Sequence, residues 1–219
     1  MLSTIKSILQ KLVYGIFDPL VRIVRRLGIT PNNITTFGFI INIAASAYLI
    51  YPMYSGNIPE PSRLIGFGWI VFVAGLMDML DGRMARIFNL HSIYGAFYDS
   101  VMDRYSELIM FMGLMAFFIA QDDWLTIFIT FWAMCGSLMV SYARARAEGL
   151  NVECSVGLMQ RPERISLVVW SCWIAGIWTT NYQLVMIIGI GIVAALANWT
   201  AFQRMWHVKK QTLEQAVSK

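Results

Sequence analysis

Charge is scarce in this chain of 219 residues: Asp, Glu, Lys and Arg make up 14% of it, against 58% hydrophobic residues. Soluble globular domains carry about twice that share of charge, so an ordinary water-facing protein is excluded and lipid becomes the expected solvent. Cysteine is also sparse. The three present, Cys135, Cys154 and Cys172, are odd in number and lack metal-like spacing, which argues against a disulfide framework or a zinc site and leaves them as inert apolar fillers. The 17 lysines and arginines sit at helix ends and in short loops and form no basic stripe, so nucleic acid is not an expected partner. No internal repeat or low-complexity stretch is present. No cleavable signal peptide is expected either, because Lys6 and Lys11 interrupt the early hydrophobic pattern.

What the chain does have is apolar runs: Phe37–Tyr54, Leu64–Met77, Leu108–Ala120, Trp124–Val140, Ile165–Trp178 and Leu184–Trp199. Crossing the hydrocarbon core takes about 20 helical residues. The shorter runs therefore have to extend into their polar flanks, the second through Asp78 and Asp81 and the third back towards Gly95. The fold expected is an all-α integral membrane protein with six transmembrane helices. With both termini on the cytoplasmic side, every lysine and arginine except Arg63 is cytoplasmic, which sets the N-in, C-in orientation. The net charge of +4 suits an anionic inner leaflet. Ahead of the first span, Ile5, Ile8, Leu9, Leu12, Val13 and Ile16 share one helical face opposite Lys6 and Lys11, the pattern of an amphipathic helix lying in the interface. One domain is expected, with residues 1–27 interfacial, 28–205 a six-helix bundle and 206–219 a polar tail that is surface-bound or frayed.

Four aspartates lie in the segment Asp78-x-x-Asp81-Gly82-x-x-Ala85-Arg86-x8-Gly95-x3-Asp99-x3-Asp103. Ionisable groups at membrane depth are costly and mark function by default. On a helix Asp78 and Asp81 share a face, as do Asp99 and Asp103 one helix later. The turn between can oppose the two faces. Gly82 and Ala85 add no bulk, so a phosphate can approach the backbone, and Arg86 is near enough to contact it. Carboxylates converging from two helices build two-metal sites in bundle cores. Oxygen ligands without His or Cys suit Mg²⁺ or Mn²⁺ over zinc. A single aspartate at a helix end would be a cap or a partner for Arg83, Arg86 or Arg104, but four in opposed pairs exceed that explanation.

At every fixed position this segment resembles the signature of the CDP-alcohol phosphotransferases. The resemblance implies a homodimeric, six-helix membrane enzyme that moves a phosphatidyl group from CDP-diacylglycerol to an alcohol and releases CMP. It further implies that Asp78, Asp81, Asp99 and Asp103 hold two metal ions and that Asp103 serves as general base. Asn32, Thr35, Asp78, Asp81, Gly82, Ala85, Arg86 and Asp99 would form the CDP site, with Pro31-Asn32-x-x-Thr35 a further family-like element. The active site would face the cytoplasm and open sideways to the inner leaflet.

Arg144, Arg161, Arg164 and Arg204 come from three further helix ends on the same expected side, and guanidinium groups beside a metal site suit an acceptor that itself carries phosphate. This pattern resembles the bacterial phosphatidylinositol phosphate synthases, whose acceptor is myo-inositol 1-phosphate. Arg144 stands where those enzymes often have lysine, which keeps the charge but not the geometry, so glycerol 3-phosphate stays open as the acceptor. A cation transporter or channel is the alternative outside catalysis. It predicts acids near the bilayer midplane and repeat symmetry, and the sequence has neither feature.

Overall fold

The structure, a computed structural model, describes Gly15 and residues 17–217, with side chains as far as Glu214. The amphipathic face expected over residues 5–16 lies outside the described residues. The described residues are mostly helical, with no strand among them. Residues 17–26 lie in α1, followed by α2 (Pro31–Tyr54), α3 (Arg63–Ile87), α4 (Ile93–Ala120), α5 (Trp124–Glu148), α6 (Arg161–Ile177), a 3₁₀ turn (Thr179–Asn181) and α7 (Tyr182–Val217). Helices α2 to α7 coincide with the six apolar runs. Four segments are long and apolar enough to cross a membrane: α2, α3, α5, and Thr179–Glu214, which takes in most of α7. The other two fall short of the six expected spans for visible reasons. Helix α4 spends its first half on Asp99, Asp103, Arg104 and Glu107, and α6 has 17 residues with Arg161, Glu163 and Arg164 at its start.

The chain forms two compact units, Met1–Asn42 with Val73–Ser106, and Ile43–Phe72 with Glu107–Lys219. In the first, Gly28 ends α1 at φ +78°, a backbone conformation that favours glycine. Thr30 then caps α2: the Asn33 backbone N–H donates to Thr30 Oγ1 at 3.4 Å, and the Thr30 N–H donates to Asn33 Oδ1 at 3.3 Å. This reciprocal arrangement is a capping box with asparagine in the third position, and Pro31 takes the first helical position, where its missing N–H costs nothing. Helix α3 stops at Asn89, at φ +51°, with the Leu90 N–H returned to the Ala85 carbonyl at 3.0 Å. Ser92 opens α4 by accepting the Gly95 N–H at 2.9 Å. Val21, Ile34, Leu80 and Met84 form the buried core of this unit.

The second unit has the larger core, including Leu49, Phe67, Phe111, Leu114, Phe117, Val168 and Ile190. Its outer surface is equally apolar: Phe128, Trp132, Trp170, Ile188, Ile192 and Trp199 are all exposed, the pattern of a protein with lipid outside. Small residues let helices approach, as where Gly189 of α7 meets Ser171 of α6. The tail departs from expectation, because α7 continues as one helix to Val217. Side chains one turn apart carry it past the apolar run: Thr212 donates to the Val208 carbonyl at 2.9 Å, and Lys210 lies 3.9 Å from Glu214.

Candidate active site

A cavity of about 700 Å³ opens within the first unit, between the first turns of α2, the last turns of α3 and the first turns of α4. Asn32, Thr35, Asp81, Gly82, Ala85, Arg86, Gly95 and Asp99 line it together. Pro31, Leu90, His91, Ser92, Ile93 and Ala96 complete the wall, and His91 and Ser92 are lining residues that the spacing argument did not single out. One signal could have found Ser92, which stands three residues before Gly95, the spacing of a helix cap. Asp78 does not line the cavity. Its carboxylate instead lies beside α2, where a Cβ on Gly38 would come within 3.7 Å of Asp78 Oδ1. Asp103 is one helical turn past Asp99, half-buried, and 4.0 Å from Arg104.

Each wall has a local cause. Thr35 Oγ1 donates to Asp81 Oδ2 at 2.7 Å and also reaches the Pro31 carbonyl at 3.2 Å, which ties the start of α2 to the end of α3. Thr36 and Tyr98 share a hydroxyl–hydroxyl hydrogen bond of 2.9 Å that joins α2 to α4. Arg86 folds back so that its Nε donates to the Gly82 carbonyl at 2.9 Å, which lays the guanidinium along the cavity rim. Gly95 is needed for close approach: a Cβ there would lie 2.9 Å from Ser92 Oγ and 3.3 Å from Asn32 Oδ1. Arg83 forks onto Asp18.

The donor set fits a hard divalent cation. Asp81 is only 6% exposed, and besides the Thr35 hydroxyl its electrostatic neighbours include Asp99 and Asp78, both of its own sign. A buried carboxylate facing like charges is stabilised by a cation among them, and an all-oxygen set suits Mg²⁺ or Mn²⁺. Among the described residues no three Asp, Glu, His or Cys side chains are gathered closely enough to hold an ion by themselves.

The four arginines are all in the second unit, and their surroundings differ. Arg144 is exposed and pairs with Glu148 at 2.8 Å, and Arg161 is half-buried at the first position of α6. Arg164 is 1% exposed. Its Nε and one terminal nitrogen bind both oxygens of Glu107 at 2.8 and 3.0 Å, and the other donates to the Met159 carbonyl at 3.1 Å. Arg204 is 4% exposed and donates to the Val156 and Val140 carbonyls. Four guanidinium groups open to an acceptor were expected, whereas two are buried on protein partners, because a charge at that depth has to be satisfied internally. Cys154 and Cys172 are buried and Cys135 is half-buried; burial pushes the Cys154 thiol up, away from the reactive thiolate.

Membrane-length apolar helices and a cavity lined by Asp81, Asp99 and Arg86 define the class as a membrane protein with a polar site. Residues 28–203 match the CDP-alcohol phosphatidyltransferase family model, and the chain belongs to that family of phospholipid-synthesising transferases. It is 34% identical over 207 residues to the archaetidylinositol phosphate synthase of Pyrococcus horikoshii, covering 93% of this chain and 97% of that protein. The crystal structure of Mycobacterium tuberculosis phosphatidylinositol phosphate synthase with CDP-DAG bound superposes with a TM-score of 0.77 at 28% identity, covering 89% of this chain and 94% of the other. The same enzyme in complex with manganese and citrate also gives 0.77 at 28% identity, covering 88% of each chain. Family membership makes the chain a phosphatidyltransferase and sets the transporter alternative aside.

Proposed function

We propose that the enzyme transfers a phosphatidyl group from CDP-diacylglycerol to the hydroxyl of myo-inositol 1-phosphate and releases CMP. The observation that carries this is one cavity combining Asp81 and Asp99 with Arg86 and the starts of α2 and α4. Helix starts attract anions through their N–H groups and dipoles, so this wall suits a diphosphate. Asn32, Thr35, Gly82 and Ala85 bind the nucleotide, and Arg86 contacts the diphosphate. Asp78, Asp81, Asp99 and Asp103 would hold two ions of Mg²⁺ or Mn²⁺, which would supply charge neutralisation for the phosphates and the CMP leaving group. The manganese complex of the mycobacterial relative supports this.

Asp103 accepts the proton of the acceptor hydroxyl as that oxygen bonds to the phosphatidyl phosphorus and the bond to CMP breaks. Arg144 and Arg161 contact the acceptor's own phosphate, while Arg164 and Arg204 hold the helix ends from which those two project. The inositol phosphate acceptor is supported by the two relatives, one an archaetidylinositol phosphate synthase and the other a phosphatidylinositol phosphate synthase. We further propose that α2 to α7 cross the cytoplasmic membrane with both termini inside, that the site faces the cytoplasm, and that the enzyme is a homodimer.

The test is CMP release by purified protein with Mg²⁺, CDP-diacylglycerol and, in parallel, myo-inositol 1-phosphate, glycerol 3-phosphate, inositol or serine. Product with inositol phosphate, abolished by Asp103→Asn, is expected. Product with glycerol 3-phosphate alone reassigns the acceptor, and product with serine alone overturns the phosphate-acceptor reading.

A further inference from the structure

Arg83 occupies one of the unfixed positions between Gly82 and Ala85 in the aspartate segment, and it does not line the cavity. Its Nε donates to Asp18 Oδ1 at 2.7 Å and a terminal nitrogen to Asp18 Oδ2 at 2.9 Å, a bidentate fork between residues 65 positions apart. The two side chains are 21% and 31% exposed, so water screens the pair only in part. Successive residues of an α-helix step by 100°, which puts Asp81, Gly82, Ala85 and Arg86 on one side of the α3 end and Leu80, Arg83, Met84 and Ile87 on the other. That second side is where α1 packs: Val21, one turn after Asp18, is fully buried with Leu80 and Met84.

We infer that the Asp18–Arg83 fork is a positioning pair that fixes the rotation of the α3 end and so the geometry of the cavity on its opposite side. Apolar contacts hold α1 against α3 but resist sliding and rolling weakly, because they have no direction. A two-point charged fork supplies the direction. Side-chain groups lie about 5–6 Å from a helix axis, so a 20° roll of the α3 end would carry the Asp81 and Arg86 groups roughly 2 Å. Binding constellations tolerate about 0.5 Å. The same fork acts on the other wall, since α1 connects through Gly28 and the Thr30 cap directly to the turn carrying Asn32 and Thr35.

This inference rests on the assignment of the cavity to the CDP group, and its test separates the two. Full-length protein in nanodiscs is compared as wild type, Asp18→Asn, Arg83→Lys, and the exchange Asp18→Arg with Arg83→Asp. KM is measured separately for CDP-diacylglycerol and for the acceptor, alongside hydrogen exchange of residues 82–88. Asp18→Asn is expected to raise the KM for the CDP-lipid about tenfold, the lower end of what loss of an orienting partner costs. The acceptor KM should stay within about twofold, exchange in 82–88 should rise, and the charge exchange should restore most of the loss. A wild-type CDP-lipid KM in folded Asp18→Asn overturns the proposal, as does an equal rise in both KM values or failure of a folded charge exchange to restore them. If Asp18→Asn does not fold, Arg83→Lys, which keeps the charge but not the fork, decides by the same KM criterion. If wild type releases no CMP, the functional assignment fails, and unchanged exchange in 82–88 of the variants would then overturn the fork separately.

Discussion

Replacing Arg164 distinguishes its two candidate roles, because each predicts a different observable. Arg164 and Glu107 are 1% and 3% exposed and joined by two hydrogen bonds of 2.8 and 3.0 Å, with a third from Arg164 to the Met159 carbonyl. Removing one member leaves the other charge buried without its counterion, a loss of about 3–5 kcal/mol. For a chain of this length each kcal/mol moves the melting midpoint by about 2–4 °C, so Arg164→Met or Glu107→Gln should lower it by roughly 6–20 °C. The double variant removes both charges and should recover most of that loss, since a buried ion pair replaced as a unit is often neutral. Cys154 and Cys172 are buried, so with the half-buried Cys135 replaced by Ala a thiol-reactive dye reports unfolding. If Arg164 instead bound the acceptor phosphate directly, Arg164→Met would melt like wild type and raise only the acceptor KM. Single variants melting within about 2 °C of wild type would refute the structural assignment.

Thr35→Val removes the hydroxyl that orients Asp81 while keeping its volume, and the Mg²⁺ concentration for half-maximal CMP release should rise about 10- to 100-fold; an unchanged requirement would remove Thr35 from the site. Asp81→Asn should abolish CMP release yet leave the melting temperature of metal-free protein unchanged or higher, as measured by the same thiol dye. Gly189→Ala would put a Cβ 1.8 Å from Ser171 Oγ and 2.6 Å from Ser171 Cβ, forcing α6 and α7 apart. The cost should be about 1–3 kcal/mol, seen as a lower melting temperature that Ser171→Gly in the same chain partly restores. The hydrogen bond from Arg83 holds the Asp18 carboxyl below the usual carboxylate range, with the nearby Arg83 and Arg22 charges acting in the same direction. A lowered pKa means this contribution is fully present above about pH 4 and is lost as pH falls through the folded value. Hydrogen exchange in residues 17–26 should therefore rise on acidification below about pH 4 in wild type, and in Asp18→Asn it should already be raised at neutral pH.

The features legible in the sequence were those set by local spacing. Apolar runs located α2 to α7 because burial and lipid contact both select the same residues. Asp78 with Asp81, and Asp99 with Asp103, could be placed on shared faces because helical periodicity acts over three or four residues. The continuation of α7 to Val217 was not legible, since it depends on polar side chains bonding along the helix where hydrophobicity has already stopped. Partners distant in the chain were also hidden. Nothing local marks Asp18 as the partner of Arg83 or Glu107 as the partner of Arg164, 57 positions away. Glu107 falls four residues after Asp103 on the stripe begun by Asp99, and such spacing says nothing of the guanidinium that meets it.

What separates the two kinds of carboxylate is their electrostatic company. Glu107 and Asp81 are almost equally buried, at 4% and 6% exposure, so desolvation disfavours both charges to a similar degree. Glu107 is compensated by a guanidinium that meets both of its oxygens, and its charge is accounted for within the protein. Asp81 has a threonine hydroxyl and, among its electrostatic neighbours, two more carboxylates. A neutral hydroxyl does not balance a buried charge, and Asp99 and Asp78 make its position worse. Such an arrangement is relieved by a proton or by a cation bound during the working cycle. Neutralising Asp81 should therefore relieve the fold while disabling the enzyme, whereas neutralising Glu107 should weaken the fold first. Burial is nearly the same in both cases, and the sign of the neighbouring charge is what separates Asp81 from Glu107.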